Sequence, residues 1–71
     1  MQRYLIILEP TATGYSAYSP DVPGCVAAGA SQFAAEQAMR EALAFHVDEL
    51  RADGQPIPAG GTAATYIEIA A

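Results

Sequence analysis

One stretch of this chain, from Gln32 to Ala52, contains neither Gly nor Pro, and it limits what 71 residues can fold into. Its commonest residues, which include Ala, Glu, Gln, Met, Arg and Leu, have the highest helix propensities. Ser31 is predicted to cap this helix, although the full capping box would need Glu or Gln where Ala34 stands. Gly54 is the expected end. The stretch therefore predicts one helix of about 35 Å, long enough to cross a small sheet.

The predicted helix has one apolar and one polar face when residues are placed about 100° apart. The apolar face carries Ala35, Met39, Ala42, Leu43, His46 and Leu50. The opposite face carries Gln37, Arg40, Glu41, Ala44, Asp48 and Arg51, and Phe45 lies between the two. We therefore expect the helix to bury one face against a sheet.

Three short segments before the helix have the composition of β-strands. Arg3–Glu9 contains five consecutive apolar residues, which is typical of a strand buried on both faces. Tyr15–Ser19 alternates large and small residues, as a half-buried strand does, and Cys25–Ala28 is a short third strand. Turn residues separate the segments at Pro10–Gly14 and at Pro23-Gly24, where Gly is expected to take the positive φ of a type II turn.

A fourth strand is predicted over Ala64–Ala70, after a loop rich in Gly and Pro. A right-handed crossover would place it beside and parallel to the first strand. The expected fold is therefore α+β, of the β-β-β-α-β kind, with a mixed four-stranded sheet of order 3-2-1-4 and one helix on one face. Nothing else in this single domain, residues 1–71, covers the other face. We therefore expect a homodimer or higher homo-oligomer through that face or an edge.

Composition excludes several functional classes. Hydrophobic residues make up 52% of the chain, and 3 Arg stand against 8 acidic residues for a net charge of −5. A chain this acidic is not expected to bind nucleic acid directly, and a charged partner would be a basic protein. The single Cys25 can form neither an intrachain disulfide nor a metal cluster. The apolar run Tyr4–Leu8 is too short to span a membrane, so we expect a cytoplasmic protein.

A resemblance to a known family is carried by the run from Tyr15 to Gly29, which reads YSAYSPDVPGCVAAG. It resembles the signature of the HicB-like antitoxins, with aromatic residues, Pro, Asp, an apolar residue, Pro-Gly-Cys and a Gly before the helix. Arg40–Leu43, His46 and Asp53–Pro58 are similar to that family's helix and exit loop.

The resemblance implies a partial ribonuclease-H-like fold and a chain that forms dimers or higher assemblies. It also implies binding of a small basic HicA-type toxin, an mRNA-cleaving protein whose active site the antitoxin covers. Complete members of the family usually continue into a DNA-binding segment, and this chain stops at Ala71. We therefore expect no direct DNA binding by this chain. The alternative is an orphan HicB-like dimeric module with another protein partner.

A ribonuclease-H-like fold also raises the possibility of a metal-dependent nuclease, which needs several carboxylates around Mg²⁺. Glu9 and Glu68 would approach each other if strands one and four pair, but Asp48 is expected to face solvent on the far side of the helix. Solvated surface charge explains these carboxylates more simply. We predict no enzymatic activity, no catalytic residue, no cofactor and no metal.

Two further residues allow a catalytic interpretation. His46 lies in the middle of the apolar helix face, where a buried or interface histidine is favoured over a general acid or base. Cys25 follows Pro-Gly, and no cation or base in the neighbouring sequence would activate its thiol. A small buried apolar residue is the favoured interpretation of Cys25.

The candidate partner-binding residues combine acidic and aromatic side chains. Asp21, between two prolines, is expected to bond nearby backbone amides, or else to offer its carboxylate to a partner's cation. Tyr15 and Tyr18 point to opposite faces of strand two, so one of them must face outward. An exposed Tyr is a common interface anchor. The predicted set is Glu9, Tyr18, Asp21, Tyr66 and Glu68.

Overall fold

The structure is a computed structural model that describes residues 2–71. Three strands precede one long helix: β1 (Ile7–Pro10), β2 (Tyr15–Tyr18), β3 (Val26–Gly29) and α1 (Gln32–Ala52). The predicted α+β class is confirmed, with an antiparallel three-stranded sheet of order β1-β2-β3.

The register of the sheet shows which side chains face the core and which face away from it. Leu8, Ala17 and Ala27 stand opposite one another, and all three belong to or pack on the core. Since side chains alternate between faces along a strand, the neighbouring residues of each strand point away from the core.

Two turns shape the sheet as their sequences suggest. The Thr11 amide donates to the Gly14 carbonyl at 2.8 Å, which closes the β1–β2 hairpin. Before β3, the Cys25 amide donates to the Val22 carbonyl at 3.3 Å. Gly24 has a φ of 82°, the positive value that the predicted type II turn requires.

The helix forms as its sequence predicts. The Ala34 amide donates to the Ser31 hydroxyl at 3.1 Å, which makes Ser31 the N-cap. At the other end Gly54 takes a φ of 69°, and the Gln55 amide donates to the Leu50 carbonyl at 2.8 Å. This left-handed glycine ends the helix.

The predicted faces of α1 are also observed. Ala35 and Met39 are completely buried, while Ala42, Leu43, His46 and Leu50 are half-buried. The predicted polar face is exposed along its length, and Phe45 is 66% exposed.

The hydrophobic core is small and lies between α1 and one face of the sheet. It consists of Ala17, Val22, Cys25, Ala35 and Met39. Tyr4, Ile6, Leu8, Tyr15, Ala27, Ala42 and Leu43 pack around it. No described element covers the other face of the sheet.

The predicted boundaries of all three strands need correction. β1 ends at Pro10, one residue later than predicted, and β2 ends at Tyr18, one residue earlier than predicted. β1 begins at Ile7 instead of Arg3, because β2 ends at Tyr18, the residue paired with Ile7, and leaves Tyr4–Ile6 without a neighbouring strand. β3 covers Val26–Gly29, one residue later than predicted.

The predicted fourth strand is not formed within the described part of the chain. The last segment, residues 63–71, contains no turn or bend and is exposed throughout, so its course is extended but it pairs with no strand. Neither four strands nor the order 3-2-1-4 is therefore observed. A strand needs a hydrogen-bonding neighbour, and alternation of apolar residues alone does not provide one.

Candidate protein-interaction surface

The uncovered face of the sheet is the main candidate for an interaction surface, and we call it the open face. Its side chains belong to the residues that alternate with the core-facing ones: Ile7, Glu9, Ser16, Tyr18, Val26 and Ala28. Ile7, Tyr18 and Val26 stand opposite one another in one row across the three strands. Val26 is 68% exposed and Tyr18 is 39% exposed, so this row offers apolar area to a partner.

The structure brings two of the predicted partner-binding residues to this surface. Glu9 pairs with Ser16 in the register, one row of open-face residues away from the row that contains Tyr18. Tyr15 instead packs against the core, so Tyr18 is the tyrosine of β2 that faces outward. The open face therefore combines an apolar row with a carboxylate at its edge.

Asp21 has a different environment from the one expected. Its carboxylate accepts hydrogen bonds from the backbone amides of Gly61 and Thr62, each at 3.2 Å, and from the Thr62 hydroxyl. These partners lie about forty residues away in the chain, whereas the sequence pattern suggested nearby amides. The hydroxyl of Thr62, followed by the amides of Gly61 and Thr62, lowers the pKa of the Asp21 carboxyl.

Two further hydrogen bonds fasten the same part of the chain. The Tyr4 hydroxyl donates to the Pro58 carbonyl at 2.6 Å, and the Gly60 amide donates to the Gln2 side-chain oxygen at 3.2 Å. Gly60 also approaches the Arg3 carbonyl so closely that a Cβ atom at Gly60 would overlap it. The loop after α1, residues 53–62, which we call the exit loop, is thus held at the amino end of the chain. The sequence carries no local signal for this relationship.

Tyr66 and Glu68, the other predicted partner-binding residues, lie beyond these anchors. Tyr66 is fully exposed, and Ile67 and Ile69 are 77% and 75% exposed. The structure does not bring Tyr66 or Glu68 into contact with the open face of the same chain. They belong to a separate surface, the extended segment 63–71.

The surface charge is negative. Arg40 pairs with Glu36 at 3.6 Å and Arg51 with Asp48 at 3.2 Å, both on the exposed side of the helix. These pairs neutralise two of the three arginines locally, and the six remaining carboxylates together with Arg3 give the chain its net charge of −5. A basic partner would be attracted over a distance of about 8–10 Å at moderate ionic strength.

The residues with a catalytic interpretation are not assembled into a catalytic site among the described residues. His46 is half-buried on the core-facing side of α1. Cys25 is buried, and burial raises the pKa of its thiol, which keeps it protonated and unreactive at neutral pH. The part of the chain that the structure describes has no group of three His, Cys, Asp or Glu side chains that could hold a metal ion. It also has no helix long and apolar enough to cross a membrane.

Comparison with known proteins relates this chain to one family and to a phage protein. The family model for HicB-like antitoxins of bacterial toxin–antitoxin systems matches residues 4–70. A curated relative, the uncharacterized 14.9 kDa protein in the rep-hol intergenic region of Haemophilus phage HP1 (strain HP1c1), is 34% identical over 64 residues. That match covers 90% of this chain and 48% of the relative, so the chain spans about half the length of the relative it matches.

Proposed function

Because the chain belongs to the HicB-like antitoxins of bacterial toxin–antitoxin systems, we propose that it neutralises a small basic HicA-type toxin by binding it and covering its active site. The family match over residues 4–70 is the observation that carries this proposal. Membership of the family supports an antitoxin role. The identity of the toxin and the mode of binding are the proposed part.

The open face supports the proposed binding mode. Its row of Ile7, Tyr18 and Val26 provides the apolar centre that protein interfaces need, and Glu9 provides a carboxylate beside it. Tyr18 has only two rotatable side-chain bonds, so its burial by a partner costs little side-chain entropy. The exposed side of the helix is less suitable, because two of its carboxylates, Glu36 and Asp48, are already engaged in ion pairs with arginines.

Charge supports the choice of a basic partner. The net charge of −5 on 71 residues favours encounter with a cationic protein and disfavours encounter with RNA or DNA. Complementary charge raises the association rate more than it deepens the affinity. Raising the salt concentration is therefore expected to slow association while the apolar row continues to hold the complex.

Neutralisation by this mechanism needs no catalysis by the antitoxin. The chain would act by steric exclusion of RNA from the toxin's active site, and this exclusion requires no metal or cofactor on the antitoxin. The predicted cytoplasmic location follows from this proposed partner, an mRNA-cleaving protein, and stays a prediction.

The experiment is a calorimetric titration of the antitoxin into a catalytically inactive HicA-type toxin from the same genome. We expect saturable binding by the wild-type chain, and a loss of at least about tenfold in affinity for Tyr18→Ala. Val26→Asp, which places a charge in the apolar row, should weaken binding more. Absence of binding by the wild-type chain would overturn the proposal and favour an interaction module with another protein partner.

Phe33→Ala is the matched control, because Phe33 is as exposed as Val26, at 69%, but lies on α1 away from the open face. It should bind the toxin as the wild-type chain does. If Phe33→Ala weakens binding and Val26→Asp does not, the toxin does not use the open face. Circular dichroism of each variant checks that the fold is retained.

A further inference from the structure

We infer that the extended segment 63–71 is an exchanged arm, which completes the sheet of a second copy of this chain by pairing with the outer edge of β1. This inference concerns self-association and does not depend on binding of a toxin. Four observations carry it: an unpaired apolar edge, an exposed apolar arm, a cleft between the two, and anchors that hold the arm away from its own sheet.

The outer edge of β1 has the residues of a central strand but the position of an edge strand. The run Tyr4–Leu8, which consists of the first two residues of β1 and the three residues before them, is continuously apolar, yet every residue in it is only half-buried. β1 pairs with β2 on one side, and no described strand pairs with it on the other. An edge of this kind presents free amides and carbonyls to another chain, and natural proteins usually protect such an edge.

The arm has the matching properties. Ile67 and Ile69 alternate with Tyr66 and Glu68, which is the pattern of a strand with one apolar face, but both isoleucines are exposed to water. The arm contains no turn or bend, so its backbone is already extended. Little conformational rearrangement would be needed for it to join a sheet.

A cleft separates the arm from its own β1. Leu5–Leu8 line one side and Ala64–Tyr66 the other, around a cavity of about 520 Å³. An adjoining cavity of about 580 Å³ lies between Arg3–Ile6 and Gly60–Ala64. No backbone hydrogen bond crosses from Leu5–Leu8 to the arm among the described residues. The arm therefore runs alongside its own edge strand without pairing with it.

The anchors before the arm explain this separation. Asp21 holds Gly61 and Thr62, and Gly60 lies against the Arg3 carbonyl. The chain is therefore fixed at the point where the arm begins. With its start fixed by these contacts, the arm does not pair with the outer edge of its own β1. Every copy of the chain therefore has an unpaired β1 edge.

The direction of the arm suggests how two copies fit together. Gly60 lies near Arg3, and Ala64–Tyr66 line the cleft opposite Leu5–Leu8, so the arm runs parallel to its own β1. A two-fold axis perpendicular to the sheet would bring the partner's arm into the cleft in the opposite direction. Each arm would then pair antiparallel with the partner's β1 and with the other arm, which joins the two sheets into one.

This arrangement also assigns the two faces of the arm. Ile67 and Ile69 would extend the apolar layer beneath the partner's α1, where Tyr4, Ile6 and Leu8 already pack. Tyr66 and Glu68 would then lie on the open-face side of the joined sheet. The exchange thus buries the two exposed isoleucines and completes an edge that is apolar on both faces.

The first test measures the oligomeric state of the full chain by light scattering during size-exclusion chromatography. We expect a dimer for the wild-type chain and for Val26→Asp, which changes the open face only. We expect Ile67→Asp/Ile69→Asp to raise the dimer dissociation constant by about 100-fold or more, with an unchanged helical circular dichroism spectrum. A monomeric wild-type chain, or a double variant that dimerises as well as wild type, would overturn the inference.

The second test distinguishes arm exchange from any other dimer. In a sample mixed from isotope-labelled and unlabelled chains, filtered NOE spectra detect only contacts between copies. We expect intermolecular NOEs from the Ile67 and Ile69 methyl groups to Leu5–Leu8. Intermolecular NOEs confined to Tyr18 and Val26 would instead place the dimer interface on the open face and would refute arm exchange.

Discussion

Thr62 donates two hydrogen bonds to the carboxylate of Asp21, one from its backbone amide at 3.2 Å and one from its hydroxyl. Asp21 lies in the turn between β2 and β3, and Thr62 lies in the exit loop after α1. The pair therefore joins the turn between β2 and β3 to the loop after α1 and sets where the last segment begins. In this family member, an acidic residue that looked available for a partner's cation is engaged within its own chain.

Removing the charge of Asp21 is expected to release the exit loop. Asp21→Asn keeps the size of the side chain but removes its charge and leaves one neutral acceptor oxygen, so the hydrogen bonds from the Gly61 and Thr62 amides become weaker and the Thr62 hydroxyl loses its separate acceptor. We expect faster hydrogen exchange at these two amides and little change in the amides of α1. Glu41→Gln, an exposed change on the helix, should leave all of them unchanged.

If Asp21→Asn leaves exchange at Gly61 and Thr62 as it is in the wild-type chain, the exit loop is held by its other contacts. The hydrogen bonds of Tyr4 with Pro58 and of Gly60 with Gln2 would then be sufficient. Tyr4→Phe, which removes only the hydroxyl, would measure the first of these separately.

The hydrogen bonds between the Asp21 carboxylate and the exit loop should depend on pH. Its pKa is lowered from the ordinary value of 3.8 because the folded state donates hydrogen bonds to the ionised carboxylate. A depressed folded-state pKa gives stabilisation that is fully present above pH 3.8 and is lost as the pH falls through the lower, folded-state pKa. An NMR titration should therefore show constant Gly61 and Thr62 amide shifts near neutrality and a change below pH 3.8. The same titration of Asp21→Asn should be flat at these amides, and a midpoint above pH 3.8 would contradict the prediction.

Gly29 is expected to be indispensable for the packing of α1 on the sheet. A Cβ atom at this position would overlap the Ala35 nitrogen and lie 2.7 Å from the Ala34 carbonyl carbon, both of them backbone atoms of the helix. Gly29→Ala should therefore displace the start of α1 and lower the free energy of unfolding by about 1–3 kcal/mol. Urea denaturation measures this change.

Gly61→Ala is the control for that experiment. A Cβ atom at Gly61 meets nothing within 4 Å, and Gly61 does not have a positive φ. Its free energy of unfolding should stay within about 0.5 kcal/mol of the wild-type value. Equal effects of the two substitutions would show that close contact with the helix is not what makes Gly29 necessary.

Cys25 should behave as a buried structural residue. Only 5% of it is exposed, and burial raises the pKa of its thiol above the ordinary value of 9.0. A thiol-specific reagent at neutral pH should therefore modify the folded chain roughly 100-fold or more slowly than the chain in denaturant. Cys25→Ala should retain antitoxin activity. Rapid modification of the folded chain together with loss of activity in Cys25→Ala would revive the nucleophile interpretation.

Local sequence patterns determined much of this protein. Helix propensity and the Ser31 cap located α1, the period of apolar residues identified its buried face, and Pro23-Gly24 indicated the turn before β3. These features depend on residues close together in the chain, so they can be predicted from short windows. The family signature in Tyr15–Gly29 is local in the same sense, and the match over residues 4–70 confirms the family.

Tertiary structure alone decided where the two ends of the chain go. The alternation around Ile67 and Ile69 predicts a strand, but the structure leaves it without a neighbour, because strand formation depends on a second strand brought to within hydrogen-bonding distance. The bonds of Asp21 with Gly61 and Thr62 likewise join residues forty positions apart. Sequence by itself established which segments favour a helix or a strand, and long-range contacts decided which of those segments find a partner within one chain.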